Sequence, residues 1–417
     1  MTQAAAELKT RLISKGVHLP APEAVEISPD IDPERISGQG VSIHAGCRLL
    51  GPDTWIGPGA EIGFEAPATI ENCCIGPDVQ LKGGFFSRAV FLAGAACGSC
   101  AHVRSGTILE EKASIAHSVG LKQSILLPYV TLGSLINFCD CLMAGGTDAK
   151  NHSEVGSAYI HFNFTPQQDK ATPSLIGDVP GGVMLDKPPI FLGGQGGLVG
   201  PCRLAYGITI AAGTICRKDE LRPNRLIFGG PERGGGNIAY SPGAYRNVKR
   251  LLTNNLVYIG NLLALGQWYR QVRGRLISEA HPEPLHQGLL SALDGAVSER
   301  IKRLDGFFEN LARFGGSGKQ QSLVEKRCEI SEKLKSYQGL DEIPLSSDPA
   351  AAKARDRFLE SLHQAIADTE TPNYPDVIQA LAEQVKSDGS QWLQAVVDMV
   401  FHSIMAMVPE FQDKKGS

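Results

Sequence analysis

Leu50, Ile56 and Ile62 stand six residues apart, and each is followed by a glycine (Gly51, Gly57, Gly63). Four residues after each aliphatic comes a small residue: Thr54, Ala60 and Ala66. The same rule returns with Cys97, Val103, Leu109, Ile115, Leu121 and Leu127 in the large position. There Ala101, Thr107, Ala113, Val119 and Ile125 take the small one. A third run has Leu198, Leu204 and Ile210, with Cys202, Ile208 and Thr214 as partners. A period of six is incompatible with the 3.6 of an α-helix, and a simple alternating strand does not keep large and small positions distinct. The pattern fits short strands joined by tight corners, three hexads to a coil, with the aliphatics stacked inside a triangular prism. The expected fold of residues 21–236 is therefore a left-handed parallel β-helix of hexapeptide repeats. A short helix and lead-in over residues 1–20 precede it. Breaks in the register near 67–80, 133–153 and 161–190 read as loops that leave the prism.

The second half changes period. Leu289, Leu293, Val297, Ile301, Leu304, Phe308 and Leu311 step by three or four, the stripe of an amphipathic helix. Val248, Leu252, Ile259, Leu262, Trp268, Val272 and Leu276 form another, Phe358, Leu362 and Ile366 a third, and Trp392, Val396, Val400 and Ile404 a late one. Prolines near 242, 282–284 and 372 separate them. Composition shifts at the same place: 34 of the 47 glycines precede residue 240. The turn-rich stretch 229–236 is the expected linker. The whole is an α+β multidomain chain, with an α-helical domain over residues 237–417.

Composition narrows the function. Lys and Arg total 40 against 44 Asp and Glu, a net charge of −4, which argues against a nucleic-acid partner because such binders concentrate positive charge. No apolar run approaches the roughly 18 residues that span a bilayer. The N-terminal stretch lacks the apolar centre of a secretory signal, so a cytoplasmic protein is expected. In a reducing compartment the ten cysteines are not a disulfide framework. Cys97/Cys100 and Cys139/Cys141 have spacings seen in zinc sites, but several cysteines fall on apolar repeat positions and read as small buried hydrophobes, with no metal. Phosphate-loop, GxSxG and HExxH signatures are missing. The glycines Gly193-Gly194-Gln195-Gly196-Gly197 lie inside a hexad run and read as corners.

From about residue 7 to 235 the chain resembles the acetyltransferase half of the bifunctional enzyme that makes UDP-N-acetylglucosamine. Val103-Arg104-Ser105-Gly106-Thr107, followed 18 residues after Arg104 by Lys122, is similar to that family's LRPG…MK pair. Residues 155–164 resemble its IGAGTITCNYDG segment, and Lys170 and Ile176-Gly177-Asp178 follow as its lysine and IGD do. Leu198-Val199-Gly200-Pro201, Ile210-Ala211-Ala212-Gly213-Thr214 and Gly230-Pro231-Glu232-Arg233 are similar to the closing segments of hexapeptide-repeat acyltransferases. The family's pyrophosphorylase half has no counterpart, so nucleotidyl transfer is not expected.

The resemblance implies a CoA-dependent acyltransferase that acts on a sugar phosphate or sugar nucleotide, with acetyl-CoA or another acyl-CoA as co-substrate. Arg104, Lys122, Glu154, Asn163 and Lys170 would bind the acceptor. Ser157, Gly194, Ala212, Arg217 and Lys218 would bind the acyl donor. A homotrimer is the family expectation, and the helical domain is a possible docking platform for a protein partner. The family's catalytic His has no counterpart near Ile136–Asp140, and Glu154 stands where the family has Asn. Acyl transfer needs a base near the nucleophile and donors for the oxyanion, so His161, His152 or Asp140 would replace the lost base, with His161 preferred. The alternative is a non-catalytic protein, derived from such a transferase, that binds a sugar nucleotide or serves as a scaffold.

Overall fold

The structure is a computed structural model and describes residues 3–163, 170–229, 245, 247–279, 281–314 and 318–412. Helix α1 (Gln3–Lys15) leads into a parallel β-solenoid whose final paired strand is Leu226–Ile227. This is the left-handed β-helix that the hexads predict. Its first face is a ten-stranded sheet that includes Ser42–Ile43, Ser114–Ile115 and Thr209–Ile210. A second face carries Arg48–Leu50, Ala101–Val103 and Ile160–Phe162, and a third carries Trp55–Ile56, Ala89–Phe91 and Ser174–Ile176. Strands Gly120–Leu126 and Asn137–Met143 bend round a corner and join the second face to the third.

Each coil turns three corners, and most corners place a residue near left-handed φ, where glycine is cheapest. Many corners use another residue. The column between the second and third faces reads Gly51, Asn72, Arg88, Gly106, Gln123 and Asp140, all with φ between 48° and 84°. At Arg88, Gln123 and Asp140 the corner is tight, and successive inward residues (Phe86 and Phe91, Leu121 and Leu126, Phe138 and Met143) are five apart rather than six.

That spacing corrects the hexad reading. Leu126, not Leu127, fills the inner column beside Leu109, and Ile125 and Leu127 point to the third face. Leu49 rather than Leu50 is the inward residue in the first run. The supposed breaks are also shorter than expected, because 68–71, 74–75, 80–81 and 137–143 are strands of the prism. Among the described residues, the 146–152 hairpin and helix α2 (Val179–Gly182) leave it. Of the expected linker, residues 230–236 lie outside the described residues, as does the Gly230–Arg233 motif.

The helical half follows as α3 (Val248–Gln271), α4 (Glu283–Arg313), α5 (Lys319–Glu325), α6 (Arg327–Lys335), α7 (Pro349–Ala367), α8 (Tyr374–Ala380) and α9 (Glu383–Met405). The aliphatic stripes anticipated on α3, α4, α7 and α9 are buried in one core, apart from the half-buried Ile366. That core also takes in the outward side chains of the third face: Trp55, Cys74, Val90, Ile108, Ile125, Leu142 and Leu175. One side of the prism is thus covered in cis.

Polar groups stitch the two halves together. Asn255 Nδ2 donates to Ala171 O at 2.9 Å, and Asn261 Oδ1 accepts from the Val179 amide at 2.8 Å. The fully buried Arg273 lies 2.7 Å from Glu111 Oε1 and 3.8 Å from Glu110 Oε2. Its guanidinium stacks 3.8 Å over the Tyr374 ring, and Tyr269 donates to Glu110 at 2.6 Å. One cation facing two buried carboxylates neutralises only one of them. Burial accordingly lifts Glu110 from 4.5 to about 7, against the opposing pull of Arg273.

The folded state therefore holds a proton on Glu110 that the unfolded chain releases near pH 4.5, and stability drops as pH rises from about 4.5 to 7. Glu110→Gln should remove this slope. Its melting temperature should gain on the wild type progressively across that window, by the equivalent of on the order of 1–3 kcal/mol. Parallel pH curves for the two proteins would contradict the assignment.

Candidate functional site

Strand register decides which of the sequence-derived residues meet. Val103, Leu121, Phe138, His161, Leu198 and Cys216 stack in one inward column. The residues that follow them, Arg104, Lys122, Cys139, Phe162, Val199 and Arg217, stack at the adjacent edge of the second face. Arg104 is exposed and Lys122 half-exposed, one coil apart. Adjacent coils lie about 4.8 Å apart, so the two cations form a compact pair. Arg104 Nη2 reaches Cys139 Sγ at 4.0 Å, and burial pushes that thiol upward, leaving it uncharged at neutral pH. Arg217 closes the column five coils from Arg104, about 24 Å away, with Lys218 beside it, and both are exposed.

His161, the preferred base, occupies an inward position and is 3% exposed. Nδ1 donates to Cys139 O at 2.6 Å, and Nε2 lies 2.7 Å from Ser174 Oγ, whose hydroxyl supplies the proton. Both ring nitrogens are thus occupied inside the prism and meet no solute, because residue 161 falls on the large inward position of the repeat. Burial depresses its pKa to about 4. Asp140 is buried at its corner, with Oδ1 2.7 Å from Arg300 of α4 and Oδ2 accepting from Asn163 Nδ2 at 3.1 Å. Both carboxylate oxygens are engaged. His152 lies on the hairpin, away from the Arg104 edge.

The remaining candidates spread over other edges. Lys170 is exposed, with φ of 55°. Glu154 is exposed on the first face, in register with Thr131 and Phe191, so it does not share an edge with Arg104 in one chain. Ser157, Gly194 and Ala212 line the corner between the first and second faces, where the coils press close: a Cβ on Gly194 would lie 2.7 Å from Ser157 O. Arg217 and Lys218 sit at the opposite edge. The expected donor-binding residues therefore form two groups.

The sequence reading overlooked His102. It shares the 101–103 strand with the Arg104 edge, projects outward, is exposed, and stacks on Phe85 with ring centroids 5.1 Å apart. The signal was available, since a residue one before an inward Val103 must face out. Among the described residues no group of three or more His, Cys, Asp or Glu side chains is placed to hold a metal ion, and no helix is long and apolar enough to cross a membrane.

No protein-family model matches the chain. Curated proteins do. The solenoid half is similar to the bifunctional protein GlmU. The GlmU of Pelobacter propionicus is 29% identical over 224 residues, which are 52% of this chain and 43% of that protein. Those of Oleidesulfovibrio alaskensis and Clavibacter sepedonicus are each 27% identical, covering 50% and 58% of this chain and 40% and 45% of theirs. The chain therefore spans less than half the length of the GlmU proteins it matches. The similarity agrees with the motif resemblance to the acetyltransferase half of that family.

An imidazole enclosed in this way stays neutral across the physiological range. In NMR titrations the His161 ring resonances should remain flat from pH 8 to 5.5 and move only towards pH 4. Because the folded pKa lies below the free value of 6.5, stability from this group is lost as pH falls through that interval. A midpoint near 6.5 for His161 would show that the ring reaches solvent.

Proposed function

We propose that this chain is a hexapeptide-repeat acyltransferase that moves an acyl group, acetyl in the simplest case, from coenzyme A to a sugar phosphate or sugar nucleotide. The observation that carries the reading is the Arg104–Lys122 pair on an open edge of a GlmU-like solenoid. A guanidinium and an ammonium one coil apart suit a phosphate, the first by paired hydrogen bonds and the second as a point charge. Arg217 and Lys218, at the far end of the same edge, are suited to the phosphates of the acyl donor. The exposed apolar side chains between them, Ile160, Phe162 and Ile215, offer its thioester arm a surface.

In this mechanism His102 is the base. Its imidazole takes the proton from the acceptor's amine or hydroxyl as that atom attacks the thioester carbonyl. The tetrahedral oxyanion then collapses, the carbon–sulfur bond breaks, and the imidazolium returns the proton to the departing thiolate. Asn163 orients the acceptor through its amide oxygen, while its Nδ2 stays on Asp140. Lys170 adds positive charge beside the acceptor. Glu154 and the Ser157–Gly194–Ala212 seam lie on other edges, and they join Arg104 only if a neighbouring chain supplies them. That supports a homotrimer packed through the first and second faces, where Phe191, Leu226 and Phe228 are also exposed. A soluble, cytoplasmic setting fits the acyl-CoA co-substrate.

The enclosure of His161 and the pairing of Asp140 favour a second reading, a non-catalytic sensor of sugar nucleotides. The two differ in the laboratory. Release of free coenzyme A from acetyl-CoA, followed by chromatography over a panel of sugar phosphates and sugar nucleotides, should reveal turnover. Arg104→Ala and His102→Asn should each lower kcat/KM by about a hundredfold or more, the second mainly through kcat. No turnover over the whole panel, together with thermal stabilisation by UDP-N-acetylglucosamine but not by coenzyme A, would establish the sensor instead.

A further inference from the structure

Helix α4 runs beside the corner column that carries Asn72, Arg88, Gln123 and Asp140. Between the two lies a cleft of about 620 Å³. At its near end the helix is seated tightly, since a Cβ on Gly288 would lie 2.3 Å from Cys74 Sγ. Two turns on, the helix stands away: a Cβ on Gly295 would meet nothing within 4 Å. Ser291 and Ser298 continue that side of the helix, and Lys302 closes it.

The facing wall is built for hydrogen bonding. Gln123 is only 8% exposed and lines the cleft. Its Nε2 donates to Ser105 O at 3.2 Å, while its Oε1 has no partner among the described residues. A buried carbonyl oxygen left in this state costs free energy until a donor reaches it. Gly106 makes the arrangement possible, because a Cβ there would lie 2.2 Å from Gln123 Nε2. Two coils away, about 10 Å along the corner, the exposed Arg88 guanidinium enters the same cleft.

The lining therefore offers amides, hydroxyls, a guanidinium and an ammonium along a straight edge with a repeat near 4.8 Å. Asp53 and Glu299 also line it, which disfavours a polyanion. No aromatic ring does among the described residues, and the apolar part of the lining is small groups, Cys74, Ala89, Val90 and Ala292, set between the polar ones. A chain of hydroxyls, each both donor and acceptor, fits this set.

We propose that the cleft between α4 and the solenoid corner is a binding site for an oligosaccharide, with Gln123 Oε1 accepting from a sugar hydroxyl. The site stands on the cleft alone and does not depend on acyl transfer. The test is saturation-transfer NMR and calorimetry on the full chain with four hexasaccharides: malto-, cello-, chito- and galacturono-. At least one neutral hexasaccharide should bind with Kd below about 1 mM, and equally well to Arg104→Ala. Gly295→Tyr fills the cleft at a position with open space and improves helix propensity. It should weaken binding at least about tenfold with no loss in melting temperature. Gln123→Met should also weaken it. Absence of transfer to all three neutral hexasaccharides at millimolar concentration, or undiminished binding to Gly295→Tyr, overturns the proposal.

Discussion

A chain that turns a corner every five or six residues must repeatedly place a residue in left-handed conformation, and everything else in this protein is arranged by those corners. Each corner fixes which side chain of the next strand faces inward. It also stacks equivalent residues of successive coils into straight columns. Arg104, Lys122 and Arg217 share an edge because Val103, Leu121 and Cys216 share an inner column. The corner residues form columns of their own. Asn72, Arg88, Gln123 and Asp140 accept the cost of a positive φ without being glycine, and in return they direct polar side chains outward from the prism.

The second constraint is the third face. Its outward positions are Trp55, Cys74, Val90, Ile108, Ile125 and Leu142, too apolar to face water. The helical half covers them, and α3 is consequently buried over most of its surface. Three asparagines of that helix are matched to the solenoid, Asn255 to Ala171 O, Asn261 to the Val179 amide and Asn254 to Asp219, while Gln267 and Arg270 bond within the helical half. The charged contacts are of a different kind. Arg273 serves two glutamates and Arg300 serves one aspartate, so the interface contains both a balanced pair and a surplus carboxylate. The surplus makes the junction sensitive to pH, whereas the Arg300–Asp140 pair ties α4 to the corner that also holds Asn163.

Among the described residues, this cis covering leaves the first and second faces open. The Arg104 edge and the Ser157–Ala212 seam border those faces, and so do the exposed aromatic and aliphatic side chains. The helical half meets the prism on the remaining side, where its own helix creates the α4 cleft, and touches the Arg104 edge at Arg217, whose carbonyl accepts from Arg250 Nη2 at 3.4 Å.

The amino-acid sequence alone determined the solenoid, the helical half and the columns of Arg104 and Lys122, because a period of six and a stripe of 3.6 are local properties of the chain. Its reading slipped where the spacing departed from six: eight residues separate the inward Ile62 and Ile70, five replace six at Gln123 and Asp140, and a strict count then misassigns the strand near 70, Leu127 and the strand near 140. His161 shows the same limit. Its motif suggested chemistry, but its register put it among inward aliphatics, with Cys139 O and Ser174 Oγ filling its nitrogens. His102 had the opposite fate, unremarked in sequence and exposed in the fold. Which face the helices cover, that Arg300 meets Asp140, and that a cleft opens at Gly295 are decisions of tertiary structure. They rest on contacts between residues far apart in the sequence, and no local pattern encodes them.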